Sequence, residues 1–138
     1  MADKLVQLKD QDGNSLYPIG TNGFGEYKTI TNGGAVKYAN GLMIVYRHIP
    51  FTNFAIGTDL YGLKVGYLPA ITFGETFTTA PAVTVTAYPT TTASCFIVGG
   101  EAGDVTTTQI NAKTYAVARN TARNVDFWLD VIAIGRWK

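Results

Sequence analysis

Little in this chain equips it for the commoner kinds of covalent chemistry. Its 138 residues include one cysteine and one histidine, and serine occurs only at Ser15 and Ser94. A single cysteine, Cys95, excludes an intramolecular disulfide, so the fold does not depend on an oxidising compartment. Within the apolar run Ala93–Val98 it reads as a small buried hydrophobe, with no basic activator nearby in sequence. A single histidine, His48, excludes a multi-histidine metal site within one chain. Ser15 lies in an N-terminal arm and Ser94 beside Cys95, which leaves a Ser-His-Asp arrangement without a credible nucleophile. Glu75, Glu101 and Asp104 read as turn acids rather than as the carboxylate pair of a glycosidase. The expectation is a protein that is not an enzyme and takes no cofactor or metal.

Charge is equally sparse. Charged residues make up 15% of the chain, with a formal net charge of +1, below the usual quarter. There is no run of like charge and no basic patch, which argues against nucleic acid as a partner. The longest apolar runs, such as Leu42–Tyr46, are too short to cross a bilayer, and no apolar segment of a secretory signal follows Met1–Lys4. Few charges also suggest a surface partly covered by another subunit.

No stretch of ten residues follows a helical period. Thr, Gly and eight tyrosines stand where a helical protein would carry Lys and Glu, and they suit pleated surfaces and turns. The closing stretch is the clearest strand. Val125, Phe127, Leu129, Val131, Ala133 and Trp137 alternate as one buried face, while the other set passes from Asp126, Trp128 and Asp130 to Ile132 and Ile134. A strand that is one-sided at its start and two-sided at its end belongs in the middle of a sheet. Ala82–Tyr88 alternates as cleanly, with Val83, Val85 and Ala87 inward. Asn40-Gly41 between apolar segments predicts a hairpin leading into Leu42–Ile49. Residues 50–60 read as an excursion between strands, and 20–35, rich in glycine, as an open linker or loop. Further strands are expected at 61–68, 70–73, 95–98, 105–109 and 112–119. Asp12-Gly13-Asn14 predicts a turn joining two short extended segments. The whole reads as all-β, an antiparallel sandwich or barrel, with an extended arm over 1–30 and one domain over 31–138.

The segments Asn40–Tyr46, Ile71-Thr72-Phe73 with Phe77, and Pro81–Val85 are similar to the C-terminal receptor-binding domain of bacteriophage tail-fibre and baseplate proteins. The ending Ile132-Ala133-Ile134-Gly135-Arg136-Trp137 matches that family best. Val131-Ile132 stands where its members often carry an aromatic residue. The resemblance covers about three quarters of the chain and implies an H-type lectin-like sandwich of about six strands, a homotrimer, and recognition of host cell-surface saccharide. It also implies a place on the virion, with residues 1–30 docking to other virion structural proteins. The family's sugar-binding residues do not carry over one by one.

A saccharide site needs an aromatic face for the C–H side of the ring and polar groups for the hydroxyls. Trp128, Tyr88 and Tyr115 can supply the first; Asp126, Asp130, Arg119, Arg123 and Asn120 the second. The alternative packs Trp128 into a subunit interface and pairs Arg119 and Arg123 with Asp126 or Asp130 across it. A structural decoration or baseplate protein of the same fold, with no sugar ligand, is the competing function.

Overall fold

Strands 42–56 and 123–136 are the longest elements of the molecule, and they lie side by side. The computed structural model describes residues 8–9, 15–17, 26–90, 94–101 and 103–138. In chain order the strands are β1 (Leu8–Lys9), β2 (Ser15–Tyr17), β3 (Glu26–Ile30), β4 (Gly33–Lys37), β5 (Leu42–Ile56), β6 (Thr58–Leu60) and β7 (Leu63–Tyr67). They continue as β8 (Ile71–Thr72), β9 (Ala82–Pro89), β10 (Phe96–Gly99), β11 (Gln109–Ile110), β12 (Tyr115–Arg119) and β13 (Arg123–Arg136). A five-stranded sheet in the order β3-β4-β5-β13-β9 packs on a four-stranded sheet in the order β10-β12-β7-β6. Every strand pairing is antiparallel, so the chain is an antiparallel β-sandwich, as the composition predicts. Two small ladders, β8 with β11 and β1 with β2, complete it. The turn expected at 12–14, and the glycines at 20, 23 and 25, lie outside the described residues.

The closing strand behaves as its alternation predicts. Val125, Phe127, Leu129, Val131 and Ala133 are all buried, at 0–2% exposure, and β13 is flanked by β5 and β9. Across the core they join Met43, Val45 and Ile56 of β5 and Val117 of β12. Phe127 stacks on Phe51 at 5.0 Å between ring centroids and meets Phe54 edge-on at 5.3 Å, geometries aromatic pairs favour. At the far end the Trp137 indole N–H donates to the Tyr38 carbonyl at 3.0 Å. That bond ties the ending to the Asn40-Gly41 turn.

Several segments differ from their sequence reading. The strand expected at 105–109 reduces to an isolated bridge at Val105 and the short β11. Residues 50–56 continue β5 instead of leaving the sheet. Pro50 is compatible because residues 48 and 50 point their backbone N–H to the same side, where the ladder with β4 ends at Arg47; a missing donor there costs nothing. Residues 26–37 form the β3–β4 hairpin around Thr31-Asn32, so Glu26–Ile30 belongs to the large sheet. Gly33 serves close approach rather than flexibility: a Cβ there would lie 2.0 Å from the Tyr46 carbonyl oxygen.

Candidate functional site

The outward side chains of the five-stranded sheet form the most distinctive surface. On β13 they are Trp128, Asp130, Ile132 and Ile134. Opposite them on β5 stand Pro50, His48, Tyr46 and Ile44, and on β9 Tyr88, Thr86, Thr84 and Ala82. The period-2 alternation that buries Phe127–Ala133 necessarily aims this second set at solvent.

Its upper part is polar and aromatic. The His48 imidazole lies parallel to the Trp128 indole, 4.2 Å between centroids and 5° between planes. His48 Nδ1 is hydrogen-bonded to Asp130 Oδ1. A carboxylate can only accept, so Nδ1 carries the proton and Nε2 faces outward for another partner. Asp130 thus fixes the imidazole and Trp128 backs it. Beside the stack is a depression of about 280 Å³, lined by Tyr46, His48, Asp130 and Ile132, with Arg47 and Val131 of the same strands. Arg47 itself faces the other way and donates from Nη1 to the Thr72 carbonyl; burial lowers its pKa from the usual guanidinium value.

The lower part carries Tyr27 and Tyr46, whose hydroxyls are 3.2 Å apart. They meet across β4 because Gly34 has no side chain; a Cβ there would fall 2.6 Å from the Tyr27 hydroxyl. The hydrogen bond with Tyr27, then its charge, then burial raise the Tyr46 pKa above the usual phenol value.

A second concavity, about 470 Å³, opens at the margin between β3–β4 and the segment 72–76. Lys28 Nζ and Lys37 Nζ each lie 2.6 Å from one oxygen of Glu75. Burial pushes Glu75 upward, but the two lysine hydrogen bonds and charges outweigh it and leave its pKa below the ordinary carboxylate value. The carboxylate occupies donors of both lysines, which makes this foremost an internal ion triad.

The structure gathers only part of the group nominated around 119–130. Trp128, Asp130 and Tyr88 share the outer face. Asp126 sits in the irregularity between Val125 and Phe127, where Oδ1 accepts from the Asn53 N–H at 2.6 Å. Asn53 has φ +52° there, and Asn124 Nδ2 donates to its Oδ1 at 2.9 Å, so Asp126 holds a bulge. Arg123 is exposed at the start of β13 opposite Ile56. Arg119 and Tyr115 belong to β12 of the other sheet. Both take the inward parity of Val117; Tyr115 packs on the main core, and Arg119 Nε and Nη1 are shut off from solvent. Burial raises the Cys95 thiol pKa, and the nearby Arg119 charge opposes that. Sequence reasoning alone misses His48 and Tyr46 as members of this surface. Their shared parity with Leu42 and Ile44 was readable, but their partners on β13 were not.

No known family matches the sequence, and no curated protein matches it. Among solved structures the chain is similar to an N-truncated R1-type pyocin tail fibre. The two share 18% identity and a TM-score of 0.50, over 80% of this chain and 84% of that one. It is similar also to a C-terminal fragment of the P. aeruginosa R1 pyocin fibre, at 15% identity and a TM-score of 0.50, over 80% of this chain and 28% of that one. The fold is therefore of the tail-fibre type.

Proposed function

We propose that this chain is the receptor-binding head of a phage or phage-derived tail fibre, carried on the virion as a trimer and binding host cell-surface saccharide. Of the arm expected over 1–30, residues 1–25, ahead of β3, would attach it to other virion proteins. The observation that carries the reading is the Trp128–His48 stack, anchored by Asp130 on an exposed face of a tail-fibre-type fold. The site binds without cleaving. The exposed rings take the C–H face of a sugar, while the second Asp130 oxygen, His48 Nε2 and the Thr84 and Thr86 hydroxyls take its hydroxyl groups. Because the stack and the carboxylate already hold the imidazole, binding orders little that is not ordered beforehand. Each site is weak, and three per trimer on many fibres make adhesion effective.

The test is binding of purified protein to host cells and to their isolated wall polysaccharide. Trp128→Ala and Asp130→Asn should each weaken it by about 10-fold or more, the loss of a charge-assisted hydrogen bond or a buried ring face. Undiminished binding by both variants overturns this site. Absence of any binding by the unaltered protein, with firm incorporation through the segment ahead of β3, points instead to a structural decoration protein.

A further inference from the structure

The concavity between the β3–β4 hairpin and residues 72–76 holds more positive charge than its own carboxylate uses. The strand register sets Lys28 in line with Ala35 and Val45, and Lys37 with Met43. Both lysines therefore take the inward side of the five-stranded sheet, opposite to the Trp128–His48 stack. β3 is an edge strand, and at this edge Glu75 meets the two lysines. Glu75 is 9% exposed, Lys37 25% and Lys28 56%, so the carboxylate lies deepest and Lys28 nearest to solvent. Lys37 Nζ also lies 5.6 Å from the centre of the Trp137 ring, which helps to hold it in place. One ammonium neutralises Glu75, and the second leaves a positive charge over. Arg47, on the same inward side, adds another. It donates to the Thr72 carbonyl, and no carboxylate pairs with it among the described residues. Glu26, opposite Lys37 in the ladder, offsets part of this charge from an exposed position.

Neutral donors surround these charges. The turn is pinned at both ends, where the Phe73 N–H donates to the Thr108 carbonyl and the Phe77 N–H to the Thr107 carbonyl, each at 2.9 Å. The intervening N–H groups of Gly74, Glu75 and Thr76 meet no protein acceptor among the described residues. Thr72, Thr76 and Thr108 line the same space of about 470 Å³, within the range of about 300–1,000 Å³ usual for ligand sites. An ammonium has three N–H donors. Glu75 takes one from each lysine, at 2.6 Å to separate oxygens. The two lysines are thus already spaced to bridge the oxygens of one oxyanion, and two donors remain on each. A further carboxylate accepts with two oxygens and carries one charge. A phosphate group offers at least three oxygens and close to two charges, which matches the surplus better.

We propose that this concavity is a second binding site, for a phosphate group, with Lys28 and Lys37 as its charged donors and the threonines and turn amides around them. The site stands apart from the saccharide reading and does not depend on it. A free phosphate ion and a phosphorylated sugar share the chemistry it recognises.

Chemical-shift titration of the full chain tests it, with sodium phosphate and glucose 6-phosphate as probes and sodium chloride holding the ionic strength constant. Amides of residues 72–76 and 108 should move saturably with the phosphate probes and stay still with glucose. Lys37→Gln should weaken binding about 10-fold, the loss of a charge-assisted hydrogen bond. Glu75→Gln should tighten it about 5-fold by removing a like charge next to the ligand. No saturable shift with either probe, or Lys37→Gln binding as well as the unaltered protein, overturns the proposal. Should Lys37→Gln not fold, Lys28→Gln decides, since that side chain is mostly solvated; it should weaken binding several-fold, and undiminished binding overturns the site. Tighter binding of glucose 6-phosphate than of phosphate identifies a phosphorylated sugar as the ligand, and equal binding identifies the phosphate group alone. Trp128→Ala should leave these shifts unchanged while it weakens host-cell binding, so either site can fail without the other. Loss of the phosphate response in a folded Trp128→Ala protein overturns a separate site.

Discussion

The two sheets of the sandwich treat their outer faces in opposite ways. On the four-stranded sheet Val65, Ala116 and Ala118 point outward, yet all three are at 0% exposure. Small residues there lie beneath Leu60, Leu63, Tyr67 and Val98, and Lys113 Nζ sits 5.6 Å above the Tyr67 ring. The five-stranded sheet instead carries large residues in the outward positions and leaves them open. A face built from small residues under longer neighbours satisfies itself. A face built from isoleucine, tyrosine and tryptophan leaves them open among the described residues. The same fold thus closes one outer face and leaves the other open among the described residues.

Enlarging one outward residue on each face should separate them most sharply. Ala116→Leu forces extra volume into a position with no space, and should cost about 1 to 3 kcal/mol of stability. Thr84→Leu enlarges an open position and should change stability by no more than about 0.5 kcal/mol. Denaturant unfolding of both, in the presence of dilute protein, measures the difference. Equal costs would mean that the second face is also covered within the single chain.

The contrast was only half legible in the amino-acid order. β13 and β9 stood out because each buries one face, and alternation over seven or more residues records that directly. The exposed character of Ile132 and Ile134 did not, since a two-sided apolar strand reads the same whether its second face meets another layer or another molecule. The sequence ends β5 at Pro50 because a proline signal is local, while its tolerance depends on where the neighbouring ladder ends. The site suffered most. His48 and Asp130 are 82 residues apart, and only the long β5–β13 register brings them together. Closeness in sequence groups Arg119 and Tyr115 with Trp128, but the chain changes sheet between β12 and β13. Asp126 reads as a ligand group in sequence because the bulge that uses it requires Asn53, which lies on another strand.

Charge should divide the faces in a different manner. Glu75 binds Lys28 and Lys37 on the inward side of β3 and β4, leaving the outward side neutral. Its folded pKa lies below the ordinary 4.5, so the unfolded chain takes up protons more readily. The stabilisation is complete above about that ordinary value and is lost as pH falls through the lower folded one. Glu75→Gln should therefore cost about 1 kcal/mol at neutral pH, since Lys28 is largely solvated, and should flatten the acid limb of a melting-temperature profile. Native mass should not change. A profile that keeps its acid limb would show that another carboxylate carries it.

The smallest effect tests how firmly the open face is organised. Tyr27 reaches Tyr46 only through the gap above Gly34, and their hydroxyls form an exposed hydrogen bond. Bonds of this kind contribute little net stability, because water offers each hydroxyl a substitute. Tyr27→Phe should therefore alter stability by no more than a few tenths of a kcal/mol. The Tyr46 titration is a finer probe, because the largest cause of its raised pKa is the Tyr27 hydroxyl. In an ultraviolet titration with the tyrosines assigned by substitution, Tyr27→Phe should bring Tyr46 down towards the usual 10.0. If Tyr46 titrates as before, the two rings do not hold each other in solution. The open face would then be looser than the sealed one as well as less covered, and a partner would have to order those rings on contact.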